Sequence, residues 1–193
     1  VLGALLGMGA PNEMLNAAGF SDSPHLFFSG YDEKGDWFQL FQIGFGGVPG
    51  RPIGDGPDGH SLWPSFTNVP NEFVEAYFPL RVETYEFIVD SGGAGLHRGG
   101  NGLSVAYRFL VDGHIGIHDD RWLTYPWGVN GGKPGKRSTK LLVRADGTQE
   151  HVPAKCEGVK VNKGDLLYFN TWGGGGWGDP LLRDPSIVAS DVD

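Results

Sequence analysis

Leu103-Ser104-Val105-Ala106-Tyr107-Arg108-Phe109-Leu110-Val111 is the stretch that decides the fold. Leu103, Val105, Tyr107, Phe109 and Val111 alternate with Ser104, Ala106, Arg108 and Leu110. A period of two sends successive side chains to opposite faces of a strand. The stretch therefore predicts a half-buried strand with an aromatic-rich inner face. Asp112-Gly113 follows, a two-residue hairpin signal, and predicts a return strand from His114 to His118 with Ile115 and Ile117 on one face. Working outward, Tyr85, Phe87 and Val89 alternate with Thr84, Glu86 and Ile88 in the same way. His25 to Ser29 and Trp37 to Ile43 are expected to pair across Asp32-Glu33-Lys34-Gly35. Lys140 to Arg144 and Thr148 to Val152 flank Asp146-Gly147 as a further hairpin, and Leu166 to Asn170 reads as the last strand. Short strands separated by turn signals predict a mainly β fold, a Gly-rich sandwich or barrel-like domain.

Short helices are expected at both ends. Val1 to Met8 reads as the last turns of a helix, and Asp184-Pro185 is an N-cap and first-turn pair opening a helix from Ser186 to Val192. Isolated short helices are marginal, so the chain reads as a piece of a longer polypeptide. With no repeat and no linker, residues 1–193 are expected to form a single β-rich domain.

Composition supports this and excludes several functions. Glycine supplies 33 of the 193 residues, which counts against a helical bundle because each helical Gly costs about 1 kcal/mol relative to Ala. There is no G-X-Y period, so no collagen. The net charge of −8 opposes binding to a phosphate backbone, so no nucleic-acid partner is expected. No apolar run reaches the roughly 20 residues of a membrane span, and no basic segment precedes the apolar start. A lone cysteine, Cys156, suits a reducing compartment, so a cytoplasmic location is expected.

Three glycine-rich tracts carry the polar residues of interest. Gly44 to His60 is dense in Gly and Pro and contains Arg51, Asp55, Asp58 and His60. Asp55, Asp58 and His60 offer oxygen and nitrogen donors to a divalent metal. Asx-turns, with each carboxylate bound to its own loop, are the reading preferred over a metal. Asp90 to Gly102 contains Gly93-x-Gly95 but runs into an alternating strand rather than a helix, so it is no dinucleotide fingerprint. Arg98 is expected to pin that loop through carbonyls or Asp90. Thr171 to Pro180 holds four glycines between Trp172 and Trp177, followed by Asp179. Such a run lets backbone pass close to something, and packing within the chain is the first expectation, a partner surface the second.

Nucleophile searches return nothing. No G-x-S-x-G elbow occurs, and Cys156 has no evident His partner. His114 and His118 share a strand face about 13 Å apart, too far for one metal; His118 with Asp120 is the alternative, and solvated surface through Asp119 and Asp120 is the preferred expectation. Catalytic residues therefore remain unassigned.

The motifs as an ordered set say more. Asp55-Gly56-Pro57-Asp58-Gly59, Thr67-Asn68-Val69-Pro70-Asn71-Glu72, Phe78-Pro79-Leu80-Arg81-Val82-Glu83 and Asp90-Ser91-Gly92-Gly93-Ala94-Gly95 occur in that order. Arg98-Gly99-Gly100-x-Gly102, Pro126-Trp127-Gly128-Val129-Asn130-Gly131-Gly132 and Gly173-Gly174-Gly175-Gly176-Trp177-Gly178-Asp179-Pro180 follow. The set resembles the hydantoinase B / acetone carboxylase alpha-subunit family, and fits the C-terminal part of that longer polypeptide.

The resemblance implies a hetero-oligomer with a hydantoinase A-like ATPase subunit and with the remainder of the B-type subunit. It implies ATP-dependent opening of cyclic amides of the hydantoin, lactam or 5-oxoproline type. A ketone carboxylase component of the acetone or acetophenone type is the alternative, and a non-catalytic structural or interaction β domain a third. ATP and Mg would sit on the partner, and a divalent metal in the N-terminal part, so no cofactor is expected on this chain. Arg51, Asp55, Asp58, Arg98, Trp172, Trp177 and Asp179 are carried forward as substrate- or interface-loop candidates.

Overall fold

A computed structural model describes residues 18–21, 24–60 and 67–192. The helix end expected over Val1 to Met8 lies outside them. Nine strands form two antiparallel sheets. Strands β1 (His25–Tyr31), β2 (Trp37–Ile43), β5 (Gly113–His118) and β8 (Lys155–Val161) form the first, ordered β2-β1-β5-β8. Strands β3 (Leu80–Phe87), β4 (Leu103–Phe109), β6 (Thr139–Val143), β7 (Gln149–His151) and β9 (Leu166–Asn170) form the second, ordered β3-β4-β9-β6-β7. Helix α1 (Asn71–Tyr77) leads into β3, and helix α2 (Pro185–Val192) follows a short 3-10 turn.

The inner faces of both sheets meet in one apolar core. Leu26, Phe28, Leu40, Ile115 and Ile117 come from the first sheet, and Val105, Phe109, Leu142, Leu167 and Phe169 from the second. The rings of Phe28 and Phe109 bridge the sheets with centroids 4.8 Å apart. The architecture is thus a sandwich and not a closed barrel. The alternating stretch behaves as expected: Leu103, Val105, Tyr107 and Phe109 are buried, with Ser104 and Arg108 half-buried between them. The expected β1–β2 and β6–β7 pairings also form, in register Phe28↔Leu40 and Leu142↔Glu150.

Asp112-Gly113 corrects the hairpin expectation. β4 pairs with β3 and β9, whereas β5 pairs with β1 and β8. The two residues therefore carry the chain across the core from one sheet to the other. Burial explains the switch: Phe109 and Val111 lie in the core, and Ile115 and Ile117 enter it from the opposite side. Two elements had no clear periodic signal. α1 buries only Val74, and β8 carries Lys155, Glu157, Gly158 and Lys160 on an outer edge.

Beside the apolar core lies a second core made of backbone. The segments 44–59, 91–102, 126–136 and 172–178 pack side by side without forming strands. Their cross-links recur every third residue. Gly47 N–H donates to the Trp172 carbonyl and Gly50 N–H to Gly175. Gly56 and Gly59 donate to Arg98 and Asn101, and Gly173 and Gly176 to Lys136 and Lys133. Gly174 and Trp177 donate to Gly100 and His97. A period of three belongs to extended threefold helices, whose crowded contacts admit only glycine. The run 173–176 is enclosed on every side. A Cβ on Gly173 would meet the Ser91 carbonyl, on Gly174 the Val48 carbonyl, on Gly175 the Trp127 carbonyl and on Gly176 the Ala94 carbonyl, each within 3.0 Å. Four consecutive glycines are needed because each of the four meets a backbone carbonyl, from three neighbouring segments.

Candidate functional site

The polar cluster sits at one rim of the glycine core, where the loops carrying Asp55, Asp58 and Arg98 meet the segment ahead of α2. Arg98 Nη1 lies 2.8 Å from Asp58 Oδ1, and Asp58 Oδ1 also accepts from the Asn101 N–H at 2.7 Å. Asp55 Oδ1 accepts from the Arg98 N–H at 2.8 Å. Both Asp55 oxygens accept from Arg183, each at 2.8 Å, a bidentate pair. Asp191 on α2 then bridges the two guanidiniums, 2.8 Å from Arg183 Nη2 and 3.3 Å from Arg98 Nε. Arg183 also donates to the Leu96 carbonyl at 2.9 Å. A cleft of about 530 Å³ opens beside this chain of charges, lined by Asp58, Asp90, Arg98, Asn101, Arg183 and Asp191 among others.

Two guanidiniums and three carboxylates thus form one connected network. Burial alone would raise the Asp55 carboxyl, but the hydrogen bonds from Arg183 and the Arg98 N–H, with both guanidinium charges, hold it below its ordinary range. The Asp58 carboxylate in turn raises Arg98, and Asp55 raises Arg183. Asp55 is thus held as a carboxylate, and the oxygens of both Asp55 and Asp58 are already engaged by arginine and backbone donors. Such groups fasten loops; they are not poised as bases. The Asx-turn expectation is corrected in its target, since both carboxylates bind the neighbouring loop rather than their own. Arg98 does meet a carbonyl of its own loop, donating to Gly99 at 3.2 Å, but its charge partners are Asp58 and Asp191 and not Asp90.

The other candidates have separate places. Arg51 donates to the Asp55 carbonyl at 3.2 Å, and His60 is exposed beyond the network. Asp179 caps the 3-10 turn by accepting from the Leu181 N–H at 2.9 Å. Trp172 and Trp177 are buried within the chain itself, where they flank the glycine run. The Trp177 ring lies 5.8 Å from that of His97. Among the described residues, no group of three or more His, Cys, Asp or Glu side chains is arranged to hold a metal ion.

Three participants had escaped the sequence reading. Arg183 lies just ahead of α2 and Asp191 eight residues later, near its end, and no short-range pattern announces that they pair. The third, the buried pair Lys140–Asp119, corrects the expectation of solvated surface at Asp119, while its neighbours His118 and Asp120 do reach solvent. Lys140 Nζ lies 2.5 Å from Asp119 Oδ2 and 2.8 Å from the Asn170 carbonyl, and 4.1 Å from the centre of the Phe169 ring. Both side chains are wholly buried. A signal existed: alternation in β6 places Lys140 on the same inner face as Leu142. His114 and His118 are exposed, as expected.

The fold and the site together define a glycine-packed β sandwich with a network of three carboxylates and two guanidiniums at its rim. The chain belongs to the Hydantoinase B/oxoprolinase family, whose model matches residues 1–180. It is 33% identical over 179 residues to a putative B-type D-/L-hydantoinase subunit from Pseudomonas sp. strain NS671, covering 91% of this chain and 30% of that protein. The ATP-dependent caprolactamase from Pseudomonas jessenii shares its fold, with a TM-score of 0.76 at 20% identity over 97% of this chain and 34% of that one. Nucleotide-free acetone carboxylase is also similar, with a TM-score of 0.72 at 19% identity over 96% of this chain and 29% of that one. The chain thus spans about a third of the length of these relatives. No helix among the described residues is long and apolar enough to cross a membrane.

Proposed function

We propose that this chain is the C-terminal portion of the B-type subunit of an ATP-dependent amidohydrolase that opens cyclic amides of the hydantoin, lactam or 5-oxoproline type. The observation that carries the reading is the 33% identity with a B-type hydantoinase subunit across 91% of the chain. The likeness to acetone carboxylase rests on fold alone, at 19% identity, so hydrolysis is preferred to ketone carboxylation.

The chemistry fits a divided machine. An unactivated amide is a poor electrophile, and phosphoryl transfer to its oxygen would supply the missing driving force. That step needs nucleotide and Mg on a hydantoinase A-like partner. A divalent metal for the hydrolytic step would belong to the rest of the B-type polypeptide. In this reading the present segment braces the site. The Asp55–Arg183–Asp191–Arg98–Asp58 network fixes the loop tips, and the glycine core fixes the network. Its single cysteine suits the cytoplasm.

The test is to co-purify the whole B-type polypeptide with its A-type partner and measure ATP hydrolysis against hydantoin, lactams and 5-oxoproline. Amide-stimulated turnover by the complex, absent from either component alone, is the expected result. Turnover that requires bicarbonate and a ketone and ignores cyclic amides would replace this reading with the carboxylase. Turnover by residues 1–193 unaided would remove the divided-machine account.

A further inference from the structure

The sandwich has four strand edges, and three are guarded. β7 is only three residues long. β8 carries a bulge around Glu157-Gly158, shown by the register step from Ile115↔Val159 to Ile117↔Cys156, and two lysines. β3 carries a bulge at Glu83, and its Val82 N–H is capped by the Glu75 carboxylate of α1 at 2.9 Å. Bulges, short length, lysines and covering side chains are how sheets prevent edge pairing. β2, Trp-Phe-Gln-Leu-Phe-Gln-Ile, is seven residues long with no proline, no charge and an unbroken register against β1.

The register shows which way its backbone faces. The Gly44 N–H donates to the Pro24 carbonyl and the Asp32 N–H to the Asp36 carbonyl, so even-numbered residues of this hairpin exchange the cross-strand bonds. Gln42, Leu40 and Phe38 follow the same parity against Leu26, Phe28 and Gly30. Ile43, Phe41, Gln39 and Trp37 then turn their N–H and C=O groups outward from the edge. Ile43 confirms it: its N–H donates to the Asn68 side-chain carbonyl at 3.0 Å, and its own carbonyl accepts from the Asn68 amide. That side chain imitates one residue of a neighbouring strand. Among the described residues, Phe41, Gln39 and Trp37 have no such neighbour.

The side chains of the same residues form an unusual outer face. Trp37 sits opposite Tyr31 and Phe41 opposite Phe27, and all four are exposed. The Phe27 and Phe41 rings lie 5.0 Å apart, and Phe41 stacks on His25 at 5.2 Å. An uncharged aromatic band beside an edge with no partner strand among the described residues is an aggregation site unless it is covered.

We infer that β2 is completed by an added strand, supplied by the remainder of the same B-type polypeptide and hydrogen-bonded to residues 37, 39 and 41. The occupant is chosen because the chain spans only 30% of its hydantoinase relative, which leaves most of that protein available to cover it. The chemistry agrees: an apolar, uncharged edge needs a permanent cover from the moment it folds, and permanent interfaces are the more apolar ones. This inference rests on the proposed B-type assignment.

The experiment is residue-resolved hydrogen exchange on the whole B-type polypeptide, first alone and then with its ATPase partner. The amides of Phe38, Leu40 and Gln42 serve β1 and are protected in any case. The expected result is that those of Trp37, Gln39 and Phe41 exchange about 100-fold or more slowly than free amides in the B-type polypeptide alone. Fast exchange at the odd positions overturns the inference. Protection that appears only with the ATPase partner overturns it too, since the cover then comes from that partner.

A second variant guards against ambiguity. Gln39→Pro removes an outward N–H that β1 does not use, and its fixed φ is one that edge strands tolerate, while Gln39→Ala keeps the N–H. Gln39→Pro is expected to lower the unfolding midpoint of the whole polypeptide well below Gln39→Ala; equal midpoints refute the added strand. Amide-stimulated ATP turnover is measured separately, so loss of this inference leaves the functional assignment standing.

Discussion

Gly173→Ala tests whether the glycine run is selected for size. Gly173 does not have a positive φ, so a purely conformational account makes alanine favourable there by about 0.4–1 kcal/mol, through the unfolded chain. The structure demands the opposite. The new methyl group would lie within 3.0 Å of the Ser91 carbonyl group and the Gly92 nitrogen, all backbone. Those atoms are tied in place, because the Ser91 carbonyl accepts from the Lys136 N–H at 2.8 Å and the Gly92 N–H donates to Asn101 at 3.0 Å. Making room loosens about two such bonds at about 1 kcal/mol each, and overpacking adds about 1–3 kcal/mol. The expected cost is about 3–5 kcal/mol. Gly44→Ala meets side chains of Pro24 and Phe169 that can yield, so its cost should be smaller, about 1–3 kcal/mol. Gly116→Ala finds nothing nearer than 3.6 Å and should be neutral or stabilising. Urea unfolding followed by tryptophan fluorescence reads all three, with Trp172 and Trp177 beside the run as probes. If Gly173→Ala falls within about 1 kcal/mol of Gly116→Ala, close backbone packing is not the reason for the glycines.

Two further outcomes follow from the charges. Burial pushes the Lys140 ammonium down and the Asp119 carboxyl up, so desolvation outweighs their attraction. Lys140→Met should cost about 3–5 kcal/mol by stranding Asp119, whereas Lys140→Met with Asp119→Leu should recover nearly all of it; a double variant as unstable as the single refutes this. Asp55 ionises more readily folded than unfolded, so its contribution is complete above its ordinary value of 3.8 and is lost as pH falls through the lower folded value. Asp55→Asn should therefore differ from the parent by a constant amount above about pH 5 and converge with it in stronger acid, by urea titration at each pH. A gap that widens on acidification contradicts the network.

The sandwich was legible where one rule of local physics acted alone. Leu103 to Phe109 alternates because the opposite sheet packs on one face of β4. Asp112-Gly113 misled because turn chemistry reports a change of direction, not which sheet the next strand joins. β8 was hidden by its bulge, which breaks the period of two at Glu157-Gly158. At the rim, Asp55, Asp58 and Arg98 were visible as polar residues in glycine loops, and their mutual contact was not. Their partners come from 40 to 128 residues away, a separation no periodicity encodes. Lys140 was missed because a lysine among leucines is ordinarily read as outward, although its parity on β6 said otherwise.

A core built from backbone restricts what such a segment can do. Positions 173–176 each face another main chain, so none of them can bear a reactive group without opening the fold. Functional side chains are thereby driven to the loop tips, and there Asp55, Asp58, Arg98, Arg183 and Asp191 hold one another. On the proposed reading, what this segment contributes is position. Reacting groups displaced by about 1 Å lose on the order of 100-fold in rate, and backbone segments cross-linked at every third residue resist such displacement better than loops packed through flexible side chains. The glycine content, a source of flexibility in an open chain, becomes a source of stiffness once every face of the backbone is bonded. The rim network should accordingly affect turnover by changing geometry, with Arg98 and Asp58 acting through the loops they fasten rather than through contact with substrate.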